Sequence, residues 1–212
     1  QDGKRHPDYA LYSPNTFYKY NTTGSNKKEI YDSKTLYMVD GGEDGQNIPY
    51  VPLLQKERAV DVIFSYDSTS DRQGWPNGTI IAATALRFNS SQHPGITITV
   101  GDDVKVINKF PDIPPADVFI AKGLDKRPVF FGCHLEQFGE RSEEETDLMS
   151  VNDYLPPIIG YFANTEINYP ANTSTFKLTY DYNEVSQIIE NSYNVMTYSN
   201  STKDLEYPQC IG

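Results

Sequence analysis

Positive charge is scarce in this chain. Its 212 residues hold 18 Lys and Arg against 29 Asp and Glu, a net charge of -11. With no basic patch to release counterions from phosphate, nucleic acid and anionic membrane surfaces are excluded as electrostatic partners. Cysteine (two), histidine (three) and tryptophan (one) are sparse too. His6, His93 and His134 are scattered without metal-ligand spacing, and Asp71 and the Asp102-Asp103 pair lack calcium-loop spacing, so no metal or other cofactor is expected. No apolar stretch approaches the ~20 residues of a membrane-spanning helix.

Aromatic residues, by contrast, are plentiful: 16 Tyr and 10 Phe, in short apolar blocks, point to a folded chain over a disordered one. Five N-x-Ser/Thr sequons occur, at Asn21, Asn77, Asn89, Asn172 and Asn200. Fifteen asparagines with about 15% Ser and Thr would give roughly two by chance, so the excess predicts a secreted glycoprotein carrying N-linked glycans. In that compartment disulfides are permitted. Cys133 paired with Cys210, or either paired to another polypeptide, both stay open. Gln1 is no initiator, which predicts that upstream sequence has been removed, and the end at Gly212 is abrupt for a native terminus.

Residues 1–34 are polar and turn-rich, the pattern of a surface segment. Strands are expected at residues 35–39, 59–66, 96–100, 129–132, 158–162 and 176–180, the second buried in the manner of a central strand. Two prolines bar a long helix from residues 47–54. Helices are expected at residues 79–88, with Asn77 or Thr79 near the N-cap, and at 184–198, capped by Asn183 with an apolar stripe of Val185, Ile188, Ile189 and Met196. Residues 89–127 are loop-rich, and the acidic run 140–147 is a solvated face or loop. No internal repeat or low-complexity linker interrupts the chain, so residues 1–212 read as one α/β domain fragment.

The chemistry concentrates in Leu36-Tyr-Met-Val-Asp40-Gly-Gly-Glu-Asp-Gly-Gln-Asn47-Ile-Pro49. Asp40 closes an apolar strand, where α/β sheets place their ligands, and Gly41 and Gly42 allow close approach and positive φ. Asn47 can steady the Asp40 loop through side-chain-to-backbone hydrogen bonds. Asp44, Arg58 and Trp75 fit a surface turn, an ion pair and packing better than a substrate contact.

Together with Glu57-Arg-Ala-Val-Asp-Val-Ile-Phe64, Tyr12-Ser-Pro-Asn-Thr-Phe17, Trp75-Pro-Asn-Gly-Thr79, Arg127-Pro-Val-Phe-Phe-Gly-Cys133 and Ser174-Thr-Phe-Lys-Leu178, that motif resembles the C-terminal portion of fungal lysophospholipases (phospholipase B). These belong with the cytosolic phospholipase A2 and patatin-like hydrolases. The resemblance implies an α/β domain with a central, mostly parallel sheet flanked by helices. It also implies hydrolysis of phospholipid and lysophospholipid acyl esters by a Ser–Asp dyad without histidine, Asp40 matching the aspartate. The family's serine sits in a Gly-x-Ser-Gly-type elbow, and no Gly-x-Ser-x-Gly occurs here. An upstream N-terminal fragment of the same precursor, left associated after nicking near Gln1, is the expected source of the serine. The location it implies is extracellular, free or anchored at the cell surface. A secreted carbohydrate-active glycoprotein and a non-catalytic structural module are the competing readings. Enzymatic deglycosylation is expected to lower the mass of the native protein, and an unchanged mass rejects the glycan assignment.

Overall fold

The computed structural model describes residues 9–20, 28–90, 95–100, 103–141, 146–151 and 155–211. The chain divides into two compact units, Gln1–Gly45 and Gln46–Gly212.

In the first unit, β1 (Ala10–Tyr12) and β2 (Leu36–Met38) pair antiparallel with Leu11 opposite Tyr37, and helix α1 (Lys28–Asp32) lies between them in sequence. The surface segment expected over residues 1–34 therefore contains a strand and a helix, with an anchor at Asn15. Only 4% exposed, Asn15 donates from Nδ2 to the carbonyls of Ile30 and Ser33 and accepts from the Phe17 N–H at 2.9 Å. One buried amide thus organises a stretch whose apolar side chains are exposed or half-buried, since a buried amide is stable only when bonded.

In the second unit, α2 (Tyr50–Leu53) is a single turn, as its prolines dictate. There follow β3 (Val62–Asp67), α3 (Thr79–Phe88), β4 (Gly95–Val100), β5 (Asp103–Ile107), α4 (Ala116–Ala121), β6 (Val129–Phe131), β7 (Thr146–Val151), β8 (Ile158–Ala163), α5 (Tyr182–Met196) and α6 (Tyr207–Ile211). The principal sheet has the order β3-β8-β6: β3 runs parallel to β8, with Val62 opposite Ile158, and β6 runs antiparallel to β8. A second sheet has the order β5-β4-β7. The fold is mixed α/β with a mixed sheet, and the parallel character expected of the whole domain resides in two pairs, β3–β8 in the principal sheet and β4–β7 in the second.

Helices cover both faces of the principal sheet. Ile63, Ile159, Tyr161 and Phe131 pack with Tyr50 of α2, Ile81 and Phe88 of α3 and Phe119 of α4. On the opposite face Phe162 and Phe130 meet Val195 of α5 and Tyr207 of α6. Each such side chain contributes about 1.5–3 kcal/mol by leaving water. β3 departs from its expected burial: Ile63 and Ser65 are buried on one face, but on the other Val62 and Phe64 are 42% and 51% exposed, so that face is incompletely covered along β3. Gly78 caps α3 with a left-handed φ of 82°, and a Cβ there would stand 2.6 Å from the Phe119 ring.

Two expectations are corrected in the C-terminal part. Residues 176–180 form no strand: Phe176 and Leu178 are 90% and 89% exposed, and alternation alone cannot hold a strand that has no ladder to join. α5 is capped by Asp181, whose carboxylate accepts from the Glu184 N–H at 2.9 Å, while Asn183 lies inside the first turn. Val185 and Ile189 face outward, and the buried line runs through Asn191 and Val195. A polar requirement sets this rotation. Asn191 Oδ1 accepts from the N–H groups of Ile167, Asn168 and Tyr169 at 3.0, 3.2 and 3.4 Å, and Nδ2 donates to the Thr165 carbonyl at 2.9 Å. α5 thereby pins the loop that leaves the carboxyl end of β8.

At the carboxyl end of β3, Asp67 is fully buried, and its Oδ2 accepts from the Tyr161 hydroxyl at 2.6 Å. Asp71 follows on the same loop and accepts from the Asn77 N–H at 3.3 Å. Burial, with the nearby Asp67 charge adding to it, raises the Asp71 pKa.

Asn191→Ala leaves several buried backbone groups without partners and is expected to cost about 3 kcal/mol, read as a lowered denaturation midpoint. A raised folded-state pKa means that Asp71 favours folding fully below its unfolded pKa and loses that contribution as pH rises through the folded value. Asp71→Asn should therefore raise Tm at neutral pH, with the gain vanishing near about pH 4. A pH-independent difference would contradict this origin.

Candidate active site

Asp40 follows β2 by two residues in extended conformation, with φ -63° and ψ 143°, and caps a one-turn 3-10 helix over Gly41–Asp44. Its Oδ1 accepts from the Gly42 N–H at 2.7 Å, and its carbonyl accepts from the Glu43 N–H at 3.1 Å. An aspartate is suited to this place because a short acceptor satisfies an orphan N–H at a helix start. The carboxyl plane is held by the first turn of backbone and the group stays exposed. Among the described residues no hydrogen bond engages Oδ2.

The structure assigns the glycines different work from that expected. Gly41 and Gly42 are helical, and the left-handed residue is Gly45, with φ 63°, whose N–H closes the turn on the carbonyls of Gly41 and Gly42. A Cβ at Gly45 would meet no atom within 4 Å, so backbone conformation and not space demands glycine there. Gly41 and Gly42 bear directly on Asp40: one starts the turn, and the other donates to the carboxylate.

Asn47 belongs to the second unit, where it is exposed and lines a cavity of about 300 Å³ with Ile48, Pro49, Leu53, Ile63 and Phe64. The residues that fix this wall were not singled out from sequence. Tyr50, fully buried, donates to Ser65 Oγ at 2.7 Å, and Ser65 donates to the Gly160 carbonyl of β8 at 2.9 Å. Asp67 completes the set, with Oδ1 accepting from the Thr69 N–H at 2.8 Å. Burial, chiefly, pushes the phenols of Tyr50 and Tyr161 far above the ordinary tyrosine range, so both remain hydrogen-bond donors. The signal for Asp67 was legible: like Asp40, it is an acidic residue that ends an apolar strand.

The remaining sequence candidates are dispersed. Arg58 is exposed in a 3-10 turn, and Trp75 is half-buried in a tight turn closed with Arg72. Asn77 is half-buried and accepts from the Thr79 N–H at 3.0 Å; Asn89 donates to Asp112 at 3.0 Å, and Asn172 to the Gln73 carbonyl at 3.1 Å. Asn200 is exposed. Asn21, His6 and His93 lie outside the described residues, as does the side chain of Cys210. Cys133 is exposed and, among the described residues, has no disulfide partner.

Comparison with known proteins extends over the whole sequence. Residues 1–212 match the family model of the lysophospholipase catalytic domain. A lysophospholipase of Kluyveromyces lactis is 39% identical over 206 residues, 96% of this chain and 29% of its own. Lysophospholipase 3 of Saccharomyces cerevisiae is 37% identical over 97% of this chain and 27% of its own, and lysophospholipase 2 of Aspergillus fumigatus is 38% identical over 99% and 31%. The chain thus spans under a third of the length of these curated relatives. No solved structure matches it. With a family match from end to end and relatives at this identity, the chain belongs to the lysophospholipase catalytic domain family.

Proposed function

We propose that this chain is the aspartate-bearing part of a secreted, glycosylated lysophospholipase/phospholipase B, with Asp40 as its general base. The observation that carries the reading is the posture of Asp40. Its carboxylate is fixed through one oxygen by the Gly42 N–H, is exposed, and stands in a family-matched segment. The serine nucleophile comes from polypeptide of the same protein outside this sequence. In support, no Gly-x-Ser-x-Gly is present here, and the relatives are more than three times longer.

In the first half-reaction the serine hydroxyl passes its proton to Asp40 as Oγ bonds to the acyl carbon. The tetrahedral intermediate collapses, the ester C–O bond breaks, and the leaving glycerol oxygen takes the proton back from Asp40. In the second, a water gives its proton to Asp40 as its oxygen attacks the acyl-enzyme. The serine oxygen then leaves and recovers the proton, releasing free fatty acid. A positioned base contributes about 10²–10⁴-fold in such transfers. An adjacent base is the usual means of making serine nucleophilic.

Asp40→Asn separates chemistry from architecture, because an amide oxygen can still accept from the Gly42 N–H while the side chain can no longer take a proton. In the full-length protein, Asp40→Asn should lower kcat on lysophosphatidylcholine by about 10²–10⁴-fold with Tm unchanged. Asp40→Ala should lose the same activity and, with the cap removed, about 1 kcal/mol of local stability. Undiminished esterase activity in both variants would sink the assignment, and activity on glycosides alone would point to a carbohydrate-active protein instead.

A further inference from the structure

The free edge of β3 presents an unmet structural demand. The Asp61 and Asp67 carbonyls accept from the N–H groups of Ile158 and Asn164 at 2.9 and 2.8 Å, so the odd-numbered residues turn their backbone toward β8. In a parallel ladder alternate residues address opposite neighbours, which leaves the N–H and C=O groups of Val62, Phe64 and Tyr66 directed at the outer edge. Among the described residues no strand pairs with that edge, and β3 ends the sheet order.

The edge is also apolar and grooved. Parallel strands are normally buried on both faces, yet Val62 and Phe64 are 42% and 51% exposed. The cavity of about 300 Å³ runs beside β3 and touches four successive residues, Ile63, Phe64, Ser65 and Tyr66. A pocket over one face of a strand would touch alternate residues. Successive ones mark a groove along the edge, walled on its far side by residues 47–50.

We propose that in the whole protein a further β-strand lies in this groove, hydrogen-bonded to Val62, Phe64 and Tyr66 and apolar on both faces, and that it is supplied by another part of the same protein. The source follows from size: the relatives contain more than twice as much polypeptide again as the matched portion, which covers 27–31% of them. An unpaired apolar edge is an aggregation hazard that natural folds cover. The principal sheet thus continues beyond β3, and residues 47–50, seven to ten positions after Asp40, border the inserted strand.

Amide hydrogen exchange on the full-length protein, read residue by residue, tests this. The N–H groups of Val62, Phe64 and Tyr66 are expected to exchange at least about 100-fold more slowly than in an unstructured peptide, as those of Ile63 and Ser65 do. Exchange of the three within about tenfold of the peptide rate, with Ile63 and Ser65 protected, overturns the proposal. Protection confined to a self-associated fraction would assign the edge to a second copy. Protection that appears only on adding lysophosphatidylcholine would make the groove a ligand site. Either result overturns the inserted strand, and none depends on whether Asp40→Asn abolishes activity.

Discussion

A carboxylate at the centre of the second unit governs its architecture. Asp67 is fully buried, and among the described residues no ion pair meets it. A buried polar group is costly unless it is hydrogen-bonded, and here the bonds come from two directions. The Tyr161 hydroxyl reaches Oδ2 from β8, and the Thr69 N–H reaches Oδ1 from the loop that follows β3. The strand pair, its register and the exit of the loop are locked by one side chain. Tyr50 and Ser65 extend the lock to α2, so the wall at residues 47–50 is positioned from the same point.

The two carboxylates that end strands have opposite lives. Asp67 is consumed by architecture: both oxygens are bonded and water is excluded. Asp40 sits on a turn of its own making, exposed, with the Gly42 N–H on one oxygen. The general base proposed at Asp40 must exchange protons repeatedly, and a buried, doubly bonded carboxylate is ill suited to that. Asp67 is the last residue of β3 and Asp40 lies two residues past β2, and solvent exposure separates the two.

Much of this was legible from sequence because local signals agreed. α3 falls on the expected residues 79–88, and β3, β6 and β8 fall within a few residues of expectation, being short apolar blocks bounded by turns. The Asp40 turn was also readable, since an acid followed by glycines after an apolar strand fits few structures. The failures occurred where long-range contacts decide. α1 and β1 depend on the Asn15 bonds across the first unit, which no pattern of polar residues announces. α5 shows an apolar stripe at Val185 and Ile189, but burying Asn191 against residues 165–169 turned the helix away from it. Phe176 and Leu178 alternate as a strand would and have no neighbour to pair with. β5 was missed although only two residues separate it from β4, a spacing that hairpins use.

The glycine between Asn77 and Thr79 shows how two kinds of information can share one letter. In the language of sequons the middle position is almost free, closed only to proline. The fold closes it further. A left-handed φ of 82° disfavours any side chain, and the Phe119 ring 2.6 Å from a would-be Cβ excludes even alanine. A compensating change at Phe119 could relieve the contact but not the backbone angle. Position 78 therefore has no neutral neighbours in sequence space, and the identity of that sequon is set by the meeting of two helices.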